Sequence, residues 1–330
     1  MDTATHITMG VALGGLATLD TSVQQDPALF QAIMIGTLVG SNAPDFDTIL
    51  KFKNNAVYIR NHRGITHSLP AIFLWGISIA FLIHLFTPQV SYGQLLFWTT
   101  LAVGIHVLVD IFNAYGTQAA RPINRKWIAL GFINTFDPYI FSLHIIGIAA
   151  WWFFGAEPGI TFLILYFVMA LYYLKRYLDK KEIVRQIHER FSDVEQVVTS
   201  PTIKHNYWRI AVTTKEHFYV ARAINGKIMV LDQFERLPLP NHPAMTEALE
   251  DQNVQAFLSF SPVYRWEIEE EEEHDHETEV RFIDLRYRSK EHYPFVAIVK
   301  LDSNYEISNS YTGWIYSEDK LQEKVQPITN

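Results

Sequence analysis

The sequence predicts an all-α helical bundle embedded in a membrane, followed by a mainly antiparallel β domain that is soluble. Long apolar runs occur in the first half of the chain, whereas alternating aromatic and β-branched runs follow residue 200. Charge divides in the same way, because residues 1–174 hold 7 of the 27 Lys and Arg and 8 of the 35 Asp and Glu. This composition is typical of a membrane region joined to a water-soluble appendage.

Six apolar segments are predicted in the membrane region. A helix needs about 20 apolar residues to cross a bilayer, and four runs meet or approach that length: Leu69–Phe86, Gly93–Phe112, Tyr139–Phe154 and Gly159–Leu174. Two weaker segments, Ile7–Leu19 and Ala28–Ala43, are rich in Gly, Ala, Thr and Ser. That composition favours close packing between helices, although either segment could instead be partly inserted or re-entrant.

Basic residues alternate from one connecting loop to the next. Lys and Arg precede the third segment, lie between the fourth and fifth, and follow the sixth, whereas the loops at 20–26, 87–92 and 155–158 contain none. Because cytoplasmic loops carry an excess of Lys and Arg, we predict a multi-pass protein with both termini in the cytoplasm.

Beyond the membrane region, 1–175, we predict an amphipathic linker helix at 176–190 and a cytoplasmic β-rich domain at 191–330. Seven alternating runs, one of them at 255–268, predict about seven antiparallel strands separated by turns such as Asn225-Gly226. The acidic stretch 267–279 contains His274 and His276 and is interpreted as a solvated hairpin loop rather than a metal site. For the β-rich domain, we expect a role in regulation, in binding a partner or in covering the membrane site.

Imidazoles and carboxylates collect where the apolar segments reach the cytoplasmic side. His6 begins the first segment, and the motif PDFD at 44–47 ends the second. The motif HRGITHS at 62–68 leads into the third segment. His106 and Asp110 end the fourth, and their four-residue spacing places them on one helix face. An intramembrane aspartate is costly enough to need a partner, a cavity or a cation.

These residues predict a metal centre. The chain has no cysteine, and imidazoles with carboxylates suit Zn, Mn or Fe. Gly64 allows the chain to turn between His62 and His67, so that His67 lies nearest the helix start. Arg60 and Arg63 beside the centre could hold a phosphate or another anion.

Each motif alone also has a structural interpretation. His106 with Asp110 could be an intrahelix pair, PDFD a turn, and HRGITHS a loop whose Thr66 or Ser68 caps the third helix. One metal centre accounts for all of them together. Five further residues are weaker candidates: His84 as structural, His144 as a reserve ligand, Asp137 as a helix cap or ligand-orienting partner, and Asn113 and Thr117 as donors to the ligands.

His6, PDFD, HRGITHS and HVLVD, in this order, resemble the bacterial membrane-bound metal-dependent hydrolases of the YdjM/YfhP-like group, most closely its YfhP-like members. The resemblance extends through NAYGTQAARP and NTFDP and covers residues 1–175 closely. The order is also similar to that of zinc-dependent phospholipase C. That similarity implies Asp45, His67, His106 and Asp110 as core ligands, with Asp110 bridging and His6 on a second ion. The later histidine and glutamate cluster of the phospholipases has no counterpart here, so one or two metals are expected rather than three.

The resemblance implies a hydrolase of the bacterial inner membrane. A divalent metal, Zn before Mn or Fe, is expected to generate hydroxide from bound water, which attacks an ester. Arg63 is expected to stabilise the developing negative charge, and Asp47 or His62 to move the proton. The depth of the site favours membrane lipids as partners and a lipid or lipid-linked phosphoester as substrate.

Two other functions remain open. One is an ion- or proton-coupled transporter, although a transport pathway should place ionisable groups through the thickness of the membrane. The other is a non-catalytic scaffold held together by a structural metal. The net charge of −8 argues against nucleic acid as a partner, because no basic stripe is available to neutralise phosphates.

Overall fold

The computed structural model describes residues 1–271, 277–290 and 292–317. The chain forms two compact units. The first comprises Met1–Asp47, His62–Glu182 and Ser200–His205, and the second comprises Thr48–Asn61, Ile183–Thr199 and the chain from Asn206 onward. A helical N-terminal region followed by a β-rich domain is therefore confirmed.

Eight α-helices precede the sheets in the described chain: α1 (Thr3–Leu16), α2 (Thr21–Gln25), α3 (Pro27–Gly40), α4 (Asn55–Asn61), α5 (Leu69–Phe86), α6 (Tyr92–Ile111), α7 (Pro138–Phe154) and α8 (Pro158–Arg190). Short 3-10 helices occupy Ala43–Phe52 and Ile65–His67, before and after α4. Local sequence sets the helix starts. At α3, for example, Asp26 accepts the amides of Ala28 and Leu29, and Pro27 takes the first helical position.

Among the described residues, three helices, α5, α6 and α8, are long and apolar enough to cross a membrane. The helices α3 and α7 are apolar but shorter, and α1 has 14 residues. Each of the six predicted apolar segments is therefore helical, and three of them are candidate membrane spans. The predicted linker at 176–190 is the last part of α8, which continues without a break to Arg190.

Within the first unit, α3 packs against α1, α5 and α6, and α5 packs along α6. The contact between α5 and α6 depends on a small residue. A Cβ atom added at Gly76 would lie 3.0 Å from the Cα atom of Thr100. Close backbone approach through small residues is the usual basis of helix association in membranes. This packing brings the ends of α3 and α6 together.

The second unit contains two four-stranded sheets within the described residues. The strand order follows the chain in both: β1 (Val194–Pro201), β2 (Tyr207–Thr214), β3 (His217–Ile224) and β4 (Lys227–Glu235) in one, and β5 (Tyr264–Glu271), β6 (Glu277–Asp284), β7 (Phe295–Leu301) and β8 (Ile307–Trp314) in the other. The predicted turn at Asn225-Gly226 joins β3 to β4. Both of its residues have positive φ, as a tight hairpin requires.

The prediction of about seven strands is wrong at two places. Strand β1 is additional, and QAFLSF at 255–260 is helical rather than extended. It forms most of α10 (Gln252–Phe260), which follows α9 (Pro243–Glu250). Asp251 caps α10 by accepting two backbone amides. Phe257 stacks on Phe295 of β7 with ring centroids 5.4 Å apart, so burial against a sheet overrides the alternation that favoured a strand.

Candidate metal centre

Four predicted ligands meet in the first unit. One donor atom each from Asp45, His67, His106 and Asp110 lies within 4.8 Å of the others. Asp45 comes from the 3-10 helix that follows α3, and His67 comes from the 3-10 turn before α5. The side chains of His67, His106 and Asp110 are fully buried. The structure therefore brings together residues separated by up to 65 positions.

Hydrogen bonds at Nδ1 orient the rings of both histidines, His67 and His106. His106 Nδ1 donates to the carbonyl of Ser41 at 2.6 Å. His67 Nδ1 lies 3.0 Å from Thr66 Oγ1, which in turn donates to Asp47 at 2.6 Å. Such bonds fix the tautomer of a metal-binding histidine and leave Nε2 as the ligand atom. Burial lowers the pKa of His67 to about 3, so its imidazole is neutral near pH 7.

The inward-facing atoms suit a cation. With Nδ1 protonated, both Nε2 atoms are acceptors, yet they lie 3.2 Å apart. Asp110 Oδ2 lies 3.5 and 3.6 Å from them, and Asp45 Oδ1 lies 3.5 and 3.7 Å away. Asp45 Oδ1 and both Asp110 oxygens are buried and accept no hydrogen bond from the described residues, although the Met1 amine and Arg63 form ion pairs with Asp110. Two lone-pair nitrogens and two carboxylates facing one another are the donor set that a divalent metal binds.

The Met1 nitrogen also lies at the cluster, a position that the sequence motifs do not predict. The α-amino group of Met1 contacts Asp110 Oδ1 and lies 2.9 Å from His6 Nε2. His6 Nε2 is 3.5 Å from the same carboxylate oxygen, and its ring stacks on His106. Burial, followed by the nearby charge of Arg63, lowers the pKa of the Met1 amine well below its usual value. The Met1 nitrogen, the His6 imidazole and Asp110 Oδ1 form a second group of donor atoms, on the opposite oxygen of Asp110.

Local bonds hold Met1 in that position. Its carbonyl accepts from Arg63 Nη2 at 3.2 Å, and the Asp2 amide donates to the carbonyl of Thr135 at 3.0 Å. Asp2 also caps α1 by accepting the amide of Thr5. A buried, anchored amine gives no signal in residue patterns, because the burial of the first residue depends on how the bundle packs.

Arg63 faces the same cluster. Its Nε atom lies 3.3 Å from Asp110 Oδ2, and only 5% of the residue is exposed. The backbone of Arg63 has a positive φ of 59°, a left-handed conformation that is uncommon outside glycine and asparagine. Its main-chain amide donates to Asp47 Oδ2 at 3.0 Å. The sharp turn in HRGITHS, predicted at Gly64, therefore also involves Arg63.

Asp47 and His62 form a pair at the edge of the cluster. His62 Nδ1 lies 2.6 Å from Asp47 Oδ1. Burial alone would raise the pKa of Asp47, but hydrogen bonds from His62 and Thr66 outweigh it and lower this pKa. Asp45, Asp47 and His62 also form a second group with metal-ligand spacing. Because the oxygens of Asp47 already accept from His62, Arg63 and Thr66, an aspartate–histidine proton-transfer pair is the better interpretation.

The weaker candidates lie outside the two groups of ligands found in the described residues. His144 Nδ1 donates to the carbonyl of Ile140, and the ring of His84 packs near Tyr92. Asp137 caps α7 and accepts from the hydroxyl of Tyr172. The oxygen of Asn113 accepts the amides of Tyr115 and Gly116, and the backbone of Thr117 pairs with Ile128. His274 and His276 fall outside the described residues.

Comparison with known proteins identifies the family. The family model for the YdjM inner membrane protein matches residues 1–183. Models for the YfhP middle domain and the YfhP C-terminal alpha/beta plait domain match residues 192–234 and 243–325. The chain is 57% identical over 327 residues to a Bacillus subtilis (strain 168) protein described as "Uncharacterized protein YfhP", covering 99% of each. No solved structure gives a significant match. The resemblance to the YdjM/YfhP-like group is thus confirmed, and the chain belongs to the YdjM inner membrane protein family, among the members that carry YfhP middle and C-terminal domains.

Proposed function

We propose that this protein is a membrane-bound, metal-dependent hydrolase that cleaves a lipid or lipid-linked phosphoester at the cytoplasmic membrane surface. The observation that carries the proposal is the convergence of two imidazoles and two carboxylates, all presenting acceptor atoms, in a largely buried cluster. Arg63 pairs with one carboxylate of this group, whereas a divalent metal would satisfy the two imidazole nitrogens and both carboxylates together.

Two ions are proposed. Asp45, His67, His106 and Asp110 Oδ2 would hold one, and Asp110 Oδ1, His6 and the Met1 amine would hold the other. Zinc suits these nitrogen and oxygen donors best, with Mn or Fe as alternatives. When bound, such ions supply Lewis-acid chemistry, lowering the pKa of water and neutralising charge on an ester oxygen.

The chain supplies proton transfer and charge stabilisation. Pairing with Asp47 places a proton on His62 Nδ1, so Nε2 is the basic nitrogen and can accept a proton from the attacking water. As the ester P–O bond breaks, the same imidazolium can return that proton to the leaving alcohol. Arg63, which lies beside Asp110, can turn its guanidinium toward the charge that develops on the phosphoryl oxygens.

The residues around the cluster favour a substrate with an apolar part. Phe46, between Asp45 and Asp47, is 69% exposed, and Ile65, two residues before His67, is 66% exposed. Exposed large apolar side chains flanking polar ligands suit a molecule whose reactive ester adjoins a hydrocarbon chain. A water-soluble phosphoester would leave both side chains in contact with water.

The proposed topology has six membrane segments with both termini in the cytoplasm of a bacterial cell. Two findings support a membrane location. The described residues contain three candidate spans and the shorter apolar helices α3 and α7, and the chain belongs to an inner membrane family. The alternation of basic and uncharged loops supports the orientation. In this arrangement, the ligands gather at the cytoplasmic ends of their helices.

The test is hydrolysis of a defined panel by the full chain in mixed micelles loaded with Zn or Mn. Phosphatidic acid, phosphatidylglycerol and a polyprenyl phosphate represent lipid phosphoesters, and p-nitrophenyl phosphate is the soluble control. Metal-dependent turnover of a lipid member, lost in Asp110→Asn but kept in His84→Gln, is expected. Metal binding without turnover of any member would reject the proposed substrate class. Ion flux across proteoliposomes would then favour the transporter.

A further inference from the structure

The connection between α6 and α7 carries cations and no acidic residue. It directly follows α6, which is a candidate membrane span. Residues 112–136 include Arg121, Arg125 and Lys126 but no Asp or Glu, and Arg125 and Lys126 are exposed. The next residue, Asp137, already accepts two amides as the cap of α7. No carboxylate within the connection therefore neutralises the two exposed cations.

Hydrogen bonds fold residues 118–127, here called the basic loop, into a closed turn. The side-chain amide of Gln118 donates to the carbonyl of Arg125 at 2.8 Å. Asn124 Oδ1 accepts the main-chain amide of Lys126 at 2.9 Å. These bonds fix the backbone on both sides of the two cations, so their side chains leave the loop from a defined position.

Apolar side chains belong to the same loop. Ile123, within the turn, is 88% exposed and contributes little to the packed core. Trp127, which follows the cations, is half-buried. Tryptophan is enriched at membrane–water interfaces, where basic side chains reach the headgroups and apolar ones the hydrocarbon. At the end of a candidate span, an exposed isoleucine beside two cations suits that region of a lipid bilayer.

The basic loop also adjoins the motif HRGITHS. The main-chain amide of Gln118 donates to the carbonyl of Arg63 at 2.9 Å. The amide of Leu69, which begins α5, donates to the carbonyl of Ala119 at 3.0 Å. Gln118 therefore bonds to both Arg63 and Arg125, and this connects the basic loop to the edge of the metal centre.

We propose that the basic loop binds the headgroup phosphate of an anionic phospholipid, with Arg125 and Lys126 on the phosphate and Ile123 in the hydrocarbon. Charge complementarity selects this ligand. Each Lys or Arg near an anionic membrane surface strengthens binding by roughly fivefold, whereas a zwitterionic headgroup has no net charge to attract them. The inference goes beyond hydrolysis and needs no metal. For the proposed function, it names anionic phospholipids as the class that gathers beside the metal centre.

The first test is lipid affinity, measured by native mass spectrometry on the detergent-purified full chain without added metal. Phosphatidylglycerol and phosphatidylcholine with the same acyl chains are titrated separately, and glycerol phosphate serves as a soluble competitor. Arg125→Gln with Lys126→Gln removes the two cations. Lys215→Gln with Lys227→Gln, at two exposed positions in the second unit, removes the same charge and is the matched control.

Wild type should bind the first phosphatidylglycerol at least about 10-fold more tightly than phosphatidylcholine. The variant that lacks both loop cations should lose this preference and the control should keep it, with circular dichroism unchanged in both. Glycerol phosphate at the concentration of the lipid should not compete. Equal affinity of wild type for the two lipids, an equal loss in the control, or displacement by glycerol phosphate would overturn the inference.

A spin label gives a second readout that depends on the position of the loop. Because the chain has no cysteine, Ile123→Cys supplies a single thiol for a nitroxide. In nanodiscs that contain phosphatidylglycerol, oxygen should reach the label and a water-soluble nickel chelate should not. A label as accessible to the chelate as free nitroxide in water would contradict the proposal. Neither measurement depends on metal, so their failure is distinguishable from a failure of the proposed hydrolysis.

Discussion

The position of the Met1 amine leads to a sharp prediction about an added N-terminal residue. Met1 is 3% exposed, and its nitrogen lies among His6 and Asp110. A fusion before Met1 converts that amine into an amide, which is a poor metal ligand, and also has to displace a buried side chain. Of the three groups proposed to hold the second ion, His6 and Asp110 Oδ1 would remain and the Met1 amine would be lost. The first ion would keep Asp45, His67, His106 and the other oxygen of Asp110.

The size of the effect follows from the donor count. Removing a residue that only orients a ligand costs roughly 10- to 100-fold in metal affinity. Loss of a direct ligand should therefore weaken the second ion by at least about 100-fold, or ~3 kcal/mol. Two ions per chain should become one at micromolar free zinc, without loss of the helical fold.

A cleavable carrier protein provides the assay and its control. The fusion is designed so that proteolysis leaves Met1 as the first residue, and metal content and zinc titration are measured before and after cleavage. One ion before cleavage and two afterwards are expected, and the same carrier at the C-terminus should have no effect. Two ions of equal affinity in the uncleaved fusion would refute the assignment of the amine as a ligand.

Three further predictions concern stability. In the metal-free protein, burial lowers the pKa of His67 from 6.5 to about 3. As the pH falls from 6.5 to about 3, His67 is therefore protonated in the unfolded chain before it is protonated in the folded protein. Over this pH range, the free energy of unfolding should fall by about 1.4 kcal/mol per pH unit because of His67. In denaturant titrations, His67→Gln should remove this pH dependence of the unfolding free energy. In thermal unfolding, Gly76→Ala should cost about 1–3 kcal/mol through overpacking, whereas Gly93→Ala, whose methyl group meets nothing within 4 Å, should cost nothing. Asp284→Ala leaves the buried Arg286 without its carboxylate and should cost about 3–5 kcal/mol; a loss below about 1 kcal/mol in circular dichroism melts would contradict this.

The convergence of Asp45, His67, His106 and Asp110 was predictable because these polar side chains adjoin apolar segments. His106 and Asp110 lie four residues apart on an apolar helix, and the motifs at 44–47 and 62–68 place Asp45 and His67 at the same depth. Burial of ionisable groups carries a cost that a pattern can reveal. The turn between β3 and β4 was predictable for a similar reason, because Asn225-Gly226 admits the positive φ values of a tight hairpin.

Other features depend on tertiary context that no pattern contains. Every chain has an α-amino group, so its presence in the sequence carries no information. Only the packing of α1 brings the Met1 amine to Asp110. The run QAFLSF alternates like a strand, yet Asp251 caps it as a helix and Phe257 packs on β7. The first unit is interrupted between Asp47 and His62, and the first of these boundaries falls within the 3-10 helix Ala43–Phe52. Long-range packing decided each of these outcomes.

The most direct test of the metal centre is metal content per chain, measured by mass spectrometry on detergent-purified protein. Wild type should hold two transition-metal ions. Asp110→Ala should lose both, because its carboxylate serves both donor sets, and His67→Ala should lose at least one, with His84→Gln unchanged and circular dichroism showing an intact fold throughout. A wild-type protein that holds no metal, even after incubation with Zn and Mn, would contradict the hydrolase and favour the ion-pathway alternative.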